Sequence, residues 1–399
     1  MVFANRNVLI SGASIAGPAL AYWLGRYGFR STVVELAPEL RGGGHAVDFR
    51  GDTHLTVLER MGVLEELRTL ETGGSPIRFV DQRGREMLSL PGEFAGGDIE
   101  VPRGDLARVL YERSLPYAEY VFGDTITRLT ETATGVRAEF RHGAAREFDL
   151  VIGADGLHSN VRRLAFGPED RYVRHLGYYA ATWSLPNYLR LHRGSVGCSV
   201  PGRFASVGAG HRDAERAGAF FVFASPRLDY DRHDPQQQKA LLTTAFADLG
   251  WEVPRLLETL RQAPELYFDS ISRADLNRWS TGRMALLGDA ACGATIGGMG
   301  TGTAVVAAYV LAGELARAGG DHRTAFTRYE SLLRDYAQGC QKGGDRTGKF
   351  FAPGSAIGLR IRNGLLNRRF LLDLMLKEGM KVTTVALPDY PAELGVARR

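Results

Sequence analysis

The chain has 399 residues, 44% of them hydrophobic, with a formal charge of +4 at pH 7; this suits one large or two ordinary globular domains whose core needs no staples. The basic residues are overwhelmingly Arg and dispersed, with Lys only at Lys239, Lys342, Lys349, Lys377 and Lys381, so no footprint for nucleic acid is expected. Cys198, Cys292 and Cys340 lie far apart with no CxxC, which argues against a disulfide framework or a zinc site and fits a cytoplasmic protein.

Glycine is abundant, 49 residues or about 12% against a usual value of roughly 7%. No low-complexity tract accounts for it, so the glycines are expected in special turns. The first of these comes early. Residues 7–10 (NVLI) form a short buried strand, too short for a leader, and SGASIAG follows at 11–17. Residues 18–27 recur in apolar character like a helix, Gly28 suits its C-terminal cap, and RSTVVE at 30–35 is a second strand. Strand, GxSxxG, helix, strand and terminal acid is the dinucleotide-binding unit. Gly12 permits the tight turn and Gly17 lets helix and strand approach. Ser14 stands where a second Gly is preferred, a mild departure. Glu35 would accept from a ribose 2′-hydroxyl and repel a 2′-phosphate, which favours FAD or NAD over NADP at this site.

Two further strand-to-glycine junctions follow. DLVIGADGLHSN at 149–160 runs from a strand into an Asp-Gly turn, with Ser159 and Arg162 beyond it. MALLGDAACGATIGGMGTGT at 284–303 runs from an apolar segment through Asp289 into a glycine-dense loop, and an apolar helix candidate, residues 304–315, comes next. That helix falls short of the ~20 residues that span a bilayer, and no integral membrane segment is expected.

The three motifs together, in this order, resemble the class A flavin-dependent aromatic hydroxylases, whose signatures are GxGxxG, GADGxxSxxR and GDAA with a following Gly-rich loop. RGGGHAVD at 41–48, RMGVL at 60–64 and VPRGDL at 101–106 are similar to the same family, and the likeness covers about residues 5–320. It implies an α/β fold: a Rossmann-like FAD-binding domain of the p-hydroxybenzoate hydroxylase type, an antiparallel β-sheet substrate domain and C-terminal helices. It implies FAD held by Gly12, Ser14, Ile15, Ala16 and Gly17 at the pyrophosphate, Glu35 and Leu36 at the adenosine ribose, and Arg41 and Arg103 at phosphate or ribityl oxygens. Asp155 and Gly156 match the Asp-Gly motif, and Asp289 matches the acceptor of ribityl hydroxyls. Gly298, Met299, Gly300 and Thr301 fall where backbone amides and a helix N-terminus face the flavin pyrimidine ring.

The resemblance further implies that NADPH or NADH reduces FAD, that reduced flavin captures O₂ as a C4a-hydroperoxide, and that an OH passes to an electron-rich ring. No protein catalytic residue is then required. His45 either touches substrate, tunes flavin charge or is a structural histidine. His45, His54, His158 and His175 show no metal-ligand spacing. The halogenase motif GWxWxIP is absent; a flavin dehydrogenase or reductase without oxygenation, and a non-catalytic flavin-binding protein, stay open as alternatives. The expected substrate is a polycyclic or phenolic aromatic metabolite, by likeness to members that tailor polyketides or inactivate tetracyclines.

The expected flavin domain is discontinuous: residues 1–75, 100–170 and 275–320. Residues 76–99 and 171–274 are read as the antiparallel sheet, with Tyr179, Trp183, Phe221 and Phe223 as cavity-lining candidates or ordinary sheet core. Residues 321–399 are read as helices that close the cavity or contact a second copy, so the protein is a monomer or a homodimer. One departure stands out: Cys292 occupies the place of a common family His, and residues 294–296 lack the family's prolines.

Overall fold

The computed structural model describes residues 4–40, 42, 46–210, 213–295, 299–371 and 384–390, with the side chains of residues 93, 95 and 345 excepted. The chain opens with β1 (Asn7–Ser11), α1 (Ala16–Arg26) and β2 (Arg30–Glu35). β3 (Ala46–Phe49), α2 (Gly51–Met61) and α3 (Leu64–Thr69) follow. The hairpin β4 (Ile77–Val80) and β5 (Glu86–Leu90) leaves this layer. Then come α4 (Gly92–Gly96), β6 (Ile99–Pro102), α5 (Arg103–Ser114) and β7 (Ala118–Phe122).

β8 (Ile126–Glu131), β9 (Val136–Phe140) and β10 (Arg146–Phe148) make a small antiparallel sheet ahead of β11 (Leu150–Gly153) and α6 (Asn160–Ala165). A second excursion comprises β12 (Val173–Pro186), β13 (Ser195–Val200), β14 (Arg203–Ala209), β15 (Arg216–Ala224), α7 (Pro235–Phe246), α8 (Val253–Gln262) and β16 (Tyr267–Ala274). The chain comes back through β17 (Ser280–Thr281), β18 (Met284–Leu286), α9 (Asp289–Cys292) and α10 (Gly300–Arg317), then continues into α11 (His322–Phe351) and α12 (Ala356–Leu366).

Two large sheets organise these elements. The first has the order β17-β18-β11-β1-β2-β7 and is parallel except at β17. Its central strands β1 and β11 carry the buried apolar runs 8–10 and 150–152, as strands covered on both faces do. α10 is buried along residues 302–316, an apolar helix packed on all sides. The second sheet has the order β16-β12-β15-β14-β13-β4-β5. It is antiparallel except where β4 runs parallel to β13, a departure from the purely antiparallel sheet expected.

The sequence reading placed residues 171–274 in strands, yet two helices stand there. α8 carries Val253, Leu256, Leu257 and Leu260 on one buried stripe, the spacing of an amphipathic helix. Asp234 caps α7 by accepting from the amides of Gln236 and Gln237 at 2.9 and 3.2 Å. Both helices seal one face of the seven-stranded sheet. No described helix is long and apolar enough to cross a membrane.

Candidate functional site

The carboxyl ends of parallel strands β1, β2, β11 and β18 meet on one side of the first sheet, where such folds present their ligand crevice. Gly12 leaves β1 at φ +106°, and a Cβ there would come 2.5 Å from the Ala154 carbonyl oxygen. A Cβ at Gly17 would come 1.9 Å from the Gly12 oxygen, so α1 sits on the turn at a distance only glycine allows. Ile15 and Ala16 are buried in that turn. The Glu35 carboxylate accepts from the amides of Ala13 at 2.8 Å and Ala37 at 2.9 Å, which fixes an acceptor at the ends of β1 and β2. Leu36 beside it is 52% exposed. Arg103, the first residue of α5, donates to the Ser14 hydroxyl at 3.2 Å.

β11 delivers the Asp-Gly turn. Asp155 accepts from Ser11 Oγ at 3.2 Å, from the Val161 amide at 3.0 Å, and from Ser159 Oγ. Burial pushes its carboxyl up, and these hydrogen bonds pull against that shift. Asp155 is therefore a brace between β1 and α6. Gly156 has φ +80°, a turn conformation that a Cβ disfavours.

β18 delivers Asp289. Gly288 precedes it at φ +59°, packed between Ala16 and Ala304. Burial pushes the Asp289 carboxyl up and Arg103 opposes the shift. Its Oδ1 is buried with no hydrogen-bond partner among the described residues. A Cβ at Gly300 would lie 2.7 Å from that oxygen. Met299, left-handed at φ +52°, and then Gly300 and Thr301 start α10 beside it. An unpartnered buried acceptor, a glycine cradle and a helix N-terminus rich in free amides form a place for a polar ligand with hydroxyls and some negative charge. Arg41, His45 and Gly298 lie outside the described residues.

Several residues beyond the expected set hold this crevice. Arg162, fully buried, donates to the Ala290 carbonyl at 2.9 Å and to that of Leu157, tying the Asp-Gly loop to the Asp289 loop. Its place in GADGxxSxxR was the signal. His158 of the same loop donates to Glu169 at 3.0 Å and to Asp269 of β16 at 2.9 Å. Burial alone would lower its pKa, but these two carboxylates override that and hold it up to about 9. His54 is the opposite case. It is buried, accepts from the Arg50 amide at 3.0 Å, and its Nε2 is 2.7 Å from the Tyr336 hydroxyl. Burial, then the Arg50 charge, lowers its pKa to about 4. Asp48 of β3 forms an ion pair with Arg50, just ahead of α2. Cys292 lies 3.6 Å from the Gly288 carbonyl, and burial above all pushes its thiol well up, so it is a poor nucleophile. No cluster fit for a metal ion occurs among the described residues.

The seven-stranded sheet presents two different faces. Tyr179, Trp183, Phe221 and Phe223 all pack in the core against α7 and α8, and none of the four reaches the opposite face. Trp183 donates to Thr259 of α8 at 3.0 Å, and Phe221 lies 4.8 Å from Trp183 and 4.5 Å from Phe246, ring to ring. The opposite face turns toward the first sheet and α11. Registers across β16, β12, β15 and β14 align Tyr267, Thr182, Phe220 and Ser206 there, with Gly218 opposite Gly208 and Ser184 one step on. A Cβ on Gly218 would meet nothing within 4 Å, so this face borders open space. Tyr267 is 45% exposed, yet desolvation of its hydroxyl, then the Asp269 charge, pushes it up, with Arg103 opposing and Asp289 adding. Tyr267 thus lies within electrostatic reach of Asp289 and Arg103.

Comparison with known proteins agrees with this geometry. A sequence model of the family described as FAD binding domain matches residues 5–345. A flavin-dependent monooxygenase of Legionella longbeachae is 35% identical over 392 residues, 97% of this chain and 98% of that protein. An uncharacterized protein of Mycobacterium tuberculosis is 43% identical over 341 residues, 84% of this chain and 91% of its own. The crystal structure of tetracycline destructase Tet(55) has a TM-score of 0.85 and 34% identity, covering 98% of this chain and all of that one (100%).

Proposed function

The chain belongs to the class A family of FAD-dependent aromatic hydroxylases, and on that premise we propose that it places an oxygen atom from O₂ on a phenolic or polycyclic aromatic compound, with NADPH or NADH as reductant. The observation that carries the reading is the unpartnered, buried Asp289 oxygen in a crevice of parallel-strand ends under an open sheet face. When bound, FAD supplies the electron transfer and oxygen activation that no side chain provides.

The protein's part is to bind, orient and exclude water. Asp289 is suited to accept from ribityl hydroxyls and Glu35 from the adenosine ribose, each from a fixed position at a strand end. Gly12, Ser14, Ile15, Ala16 and Gly17 with Arg103 form the pyrophosphate wall, and Leu36 flanks the ribose. Asp155 and Gly156 shape the adjoining turn. The start of α10 at Met299, Gly300 and Thr301 favours negative charge on the ring edge, at about 0.3–1 kcal/mol per interaction. Arg41, Gly298 and His45 belong to the proposal by sequence alone.

For the substrate, we place the aromatic ring system against the open face: Tyr267 and Phe220 offer ring edges and faces, while Thr182, Gly208 and Gly218 leave room. Small residues beside aromatic ones make a flat slot suited to fused rings. The solved relatives named tetracycline destructases make tetracyclines, which are polycyclic phenols, the first compounds to try.

The test has two arms. Purified protein should carry FAD, and Asp289→Ala should lose most of it; full flavin occupancy in that variant overturns the ribityl role. The loaded enzyme should consume NADPH or NADH and O₂ with an aromatic panel, and label from ¹⁸O₂ should enter product. Flavin reduction with no O₂-derived label in any product would favour the dehydrogenase reading instead.

A further inference from the structure

α12 carries two apolar faces, and only one of them is used. Leu359, Arg362 and Leu366 are buried. Arg362 donates to the carbonyls of Phe350 at 2.8 Å and Phe351 at 3.2 Å, and its guanidinium lies 4.4 Å from the Phe79 ring centre. This face closes over an aromatic cluster of Phe79, Phe94, Phe204, Phe220, Phe350 and Phe351 on the open-face side of the seven-stranded sheet.

On the outer face Ile357, Ile361 and Leu365 repeat every four residues and are 69%, 57% and 48% exposed, with Phe370 just beyond at 76%. Scattered exposed apolar residues need no explanation, but a stripe in helical register does. Around it stand Arg360, Arg368 and Arg369, all exposed. No acidic residue occurs between Asp345 and Asp373 in the sequence, and none of the three arginines has an ion-pair partner among the described residues. β5, on which α12 packs, adds one exposed acid, Glu86.

The charge pattern selects the occupant. A second copy docked by two-fold symmetry would bring two arginine-rich patches together with only Glu86 of each to offset them. A surface of lipid with anionic headgroups answers both features at once, taking the stripe into the headgroup boundary and the arginines onto phosphates. We propose that α12 and the turn after it dock the protein on an anionic bilayer surface. Docked this way, the outer wall of the aromatic cluster rests on the phase into which apolar ring compounds partition. The proposal concerns where the protein sits and stands whatever reaction it performs.

Flotation of the flavin-loaded protein with vesicles tests it, comparing pure phosphatidylcholine with phosphatidylcholine holding about a third phosphatidylglycerol. Binding to the anionic vesicles is expected to exceed the neutral by about ten-fold or more and to weaken with salt. Replacing the stripe (Ile357→Ser, Ile361→Ser, Leu365→Ser) should cut it about ten-fold, with flavin absorbance and Tm unchanged because these side chains are exposed. The charge variant Arg360→Gln, Arg368→Gln, Arg369→Gln should remove the salt dependence, which keeps the test decisive if the stripe variant misfolds. Equal binding to both vesicle types overturns the proposal. So does self-association in sedimentation equilibrium that the stripe variant abolishes while vesicles are ignored, since the stripe is then an interface between copies.

Discussion

The two faces of the seven-stranded sheet are made from alternate residues of the same strands, and they differ in what they have to pack against. Along β15, Ala217, Ala219, Phe221 and Phe223 are buried on the α7–α8 side, while on the other side Val222 is buried but Gly218 and Phe220 are only half-buried. One face is filled to core density by large side chains in ring contact. The other is packed around Phe204, Val222 and Ile271 at one end and is left open over Gly218, beside Gly208 and Ser184, at the other. A strand buried on both faces has no reason to leave space above a glycine. The difference therefore separates a face that holds the domain together from one that leaves room for a ligand.

The largest expected effect breaks the first face. Phe221→Ala removes a fully buried ring from between Trp183 and Phe246, and truncations of this kind cost about 3–5 kcal/mol. Thermal unfolding should show a clear fall in Tm while flavin absorbance of the folded protein and KM for substrate barely move. An unchanged Tm with a raised KM would reverse the assignment of the two faces.

This contrast also explains what the sequence made legible. The turn at the ends of β1 and β2 could be read from the sequence because its demands are local: a positive φ at Gly12, the 1.9 Å approach behind Gly17, and an acid at the end of β2. The orientation of the second sheet is not local. Alternation shows that Tyr179, Trp183, Phe221 and Phe223 share faces, but only the packing partner decides which face meets the flavin side. That partner was α7 and α8, inside a stretch expected to be all strand. The stripe of Val253, Leu256, Leu257 and Leu260 in α8 was present in the sequence and would have decided between cavity lining and sheet core for the four aromatic residues. Arg162 lay within a quoted motif, yet its reach to the Ala290 carbonyl crosses 128 positions, a contact that no spacing rule reveals. The 30-residue α11 carries Gly339, Gly343, Gly344 and Gly348 in its second half, which weakens its helical signal in the sequence. Gly348 is there for a neighbour: a Cβ on it would lie 2.4 Å from the Tyr178 ring.

A middle-sized effect sharpens the second face. Gly218→Leu fills space that is empty within 4 Å of its Cβ position and needs no forbidden φ. Tm should hold, while KM for a fused-ring substrate should rise about ten-fold, equivalent to about 1.4 kcal/mol of lost binding. Steady-state kinetics with a small single-ring phenol beside a larger substrate is the measurement. Equal loss for both, or none for either, would mean the ring system does not lie over Gly218.

The smallest effect concerns how the open face is tied to the flavin crevice. His158 joins the Asp-Gly loop to Asp269 of β16, two residues from Tyr267. Its folded pKa of about 9 lies above the ordinary value near 6.5, so the proton is bound more tightly in the folded state. Its contribution is then complete below about pH 6.5 and is lost as pH rises through about 9. His54 runs the other way: held neutral at about 4, it lets stability fall as pH drops from about 6.5 toward 4. His158→Gln should therefore lower Tm at neutral pH and below, match the parent above pH 9 or so, and leave the fall driven by His54 in place. Because the clamp seats the strand that carries Tyr267, the same variant should raise KM modestly in the neutral range and not at alkaline pH. A Tm difference that persists unchanged at high pH would show that His158 acts by packing alone, with no ion pairing across the two sheets.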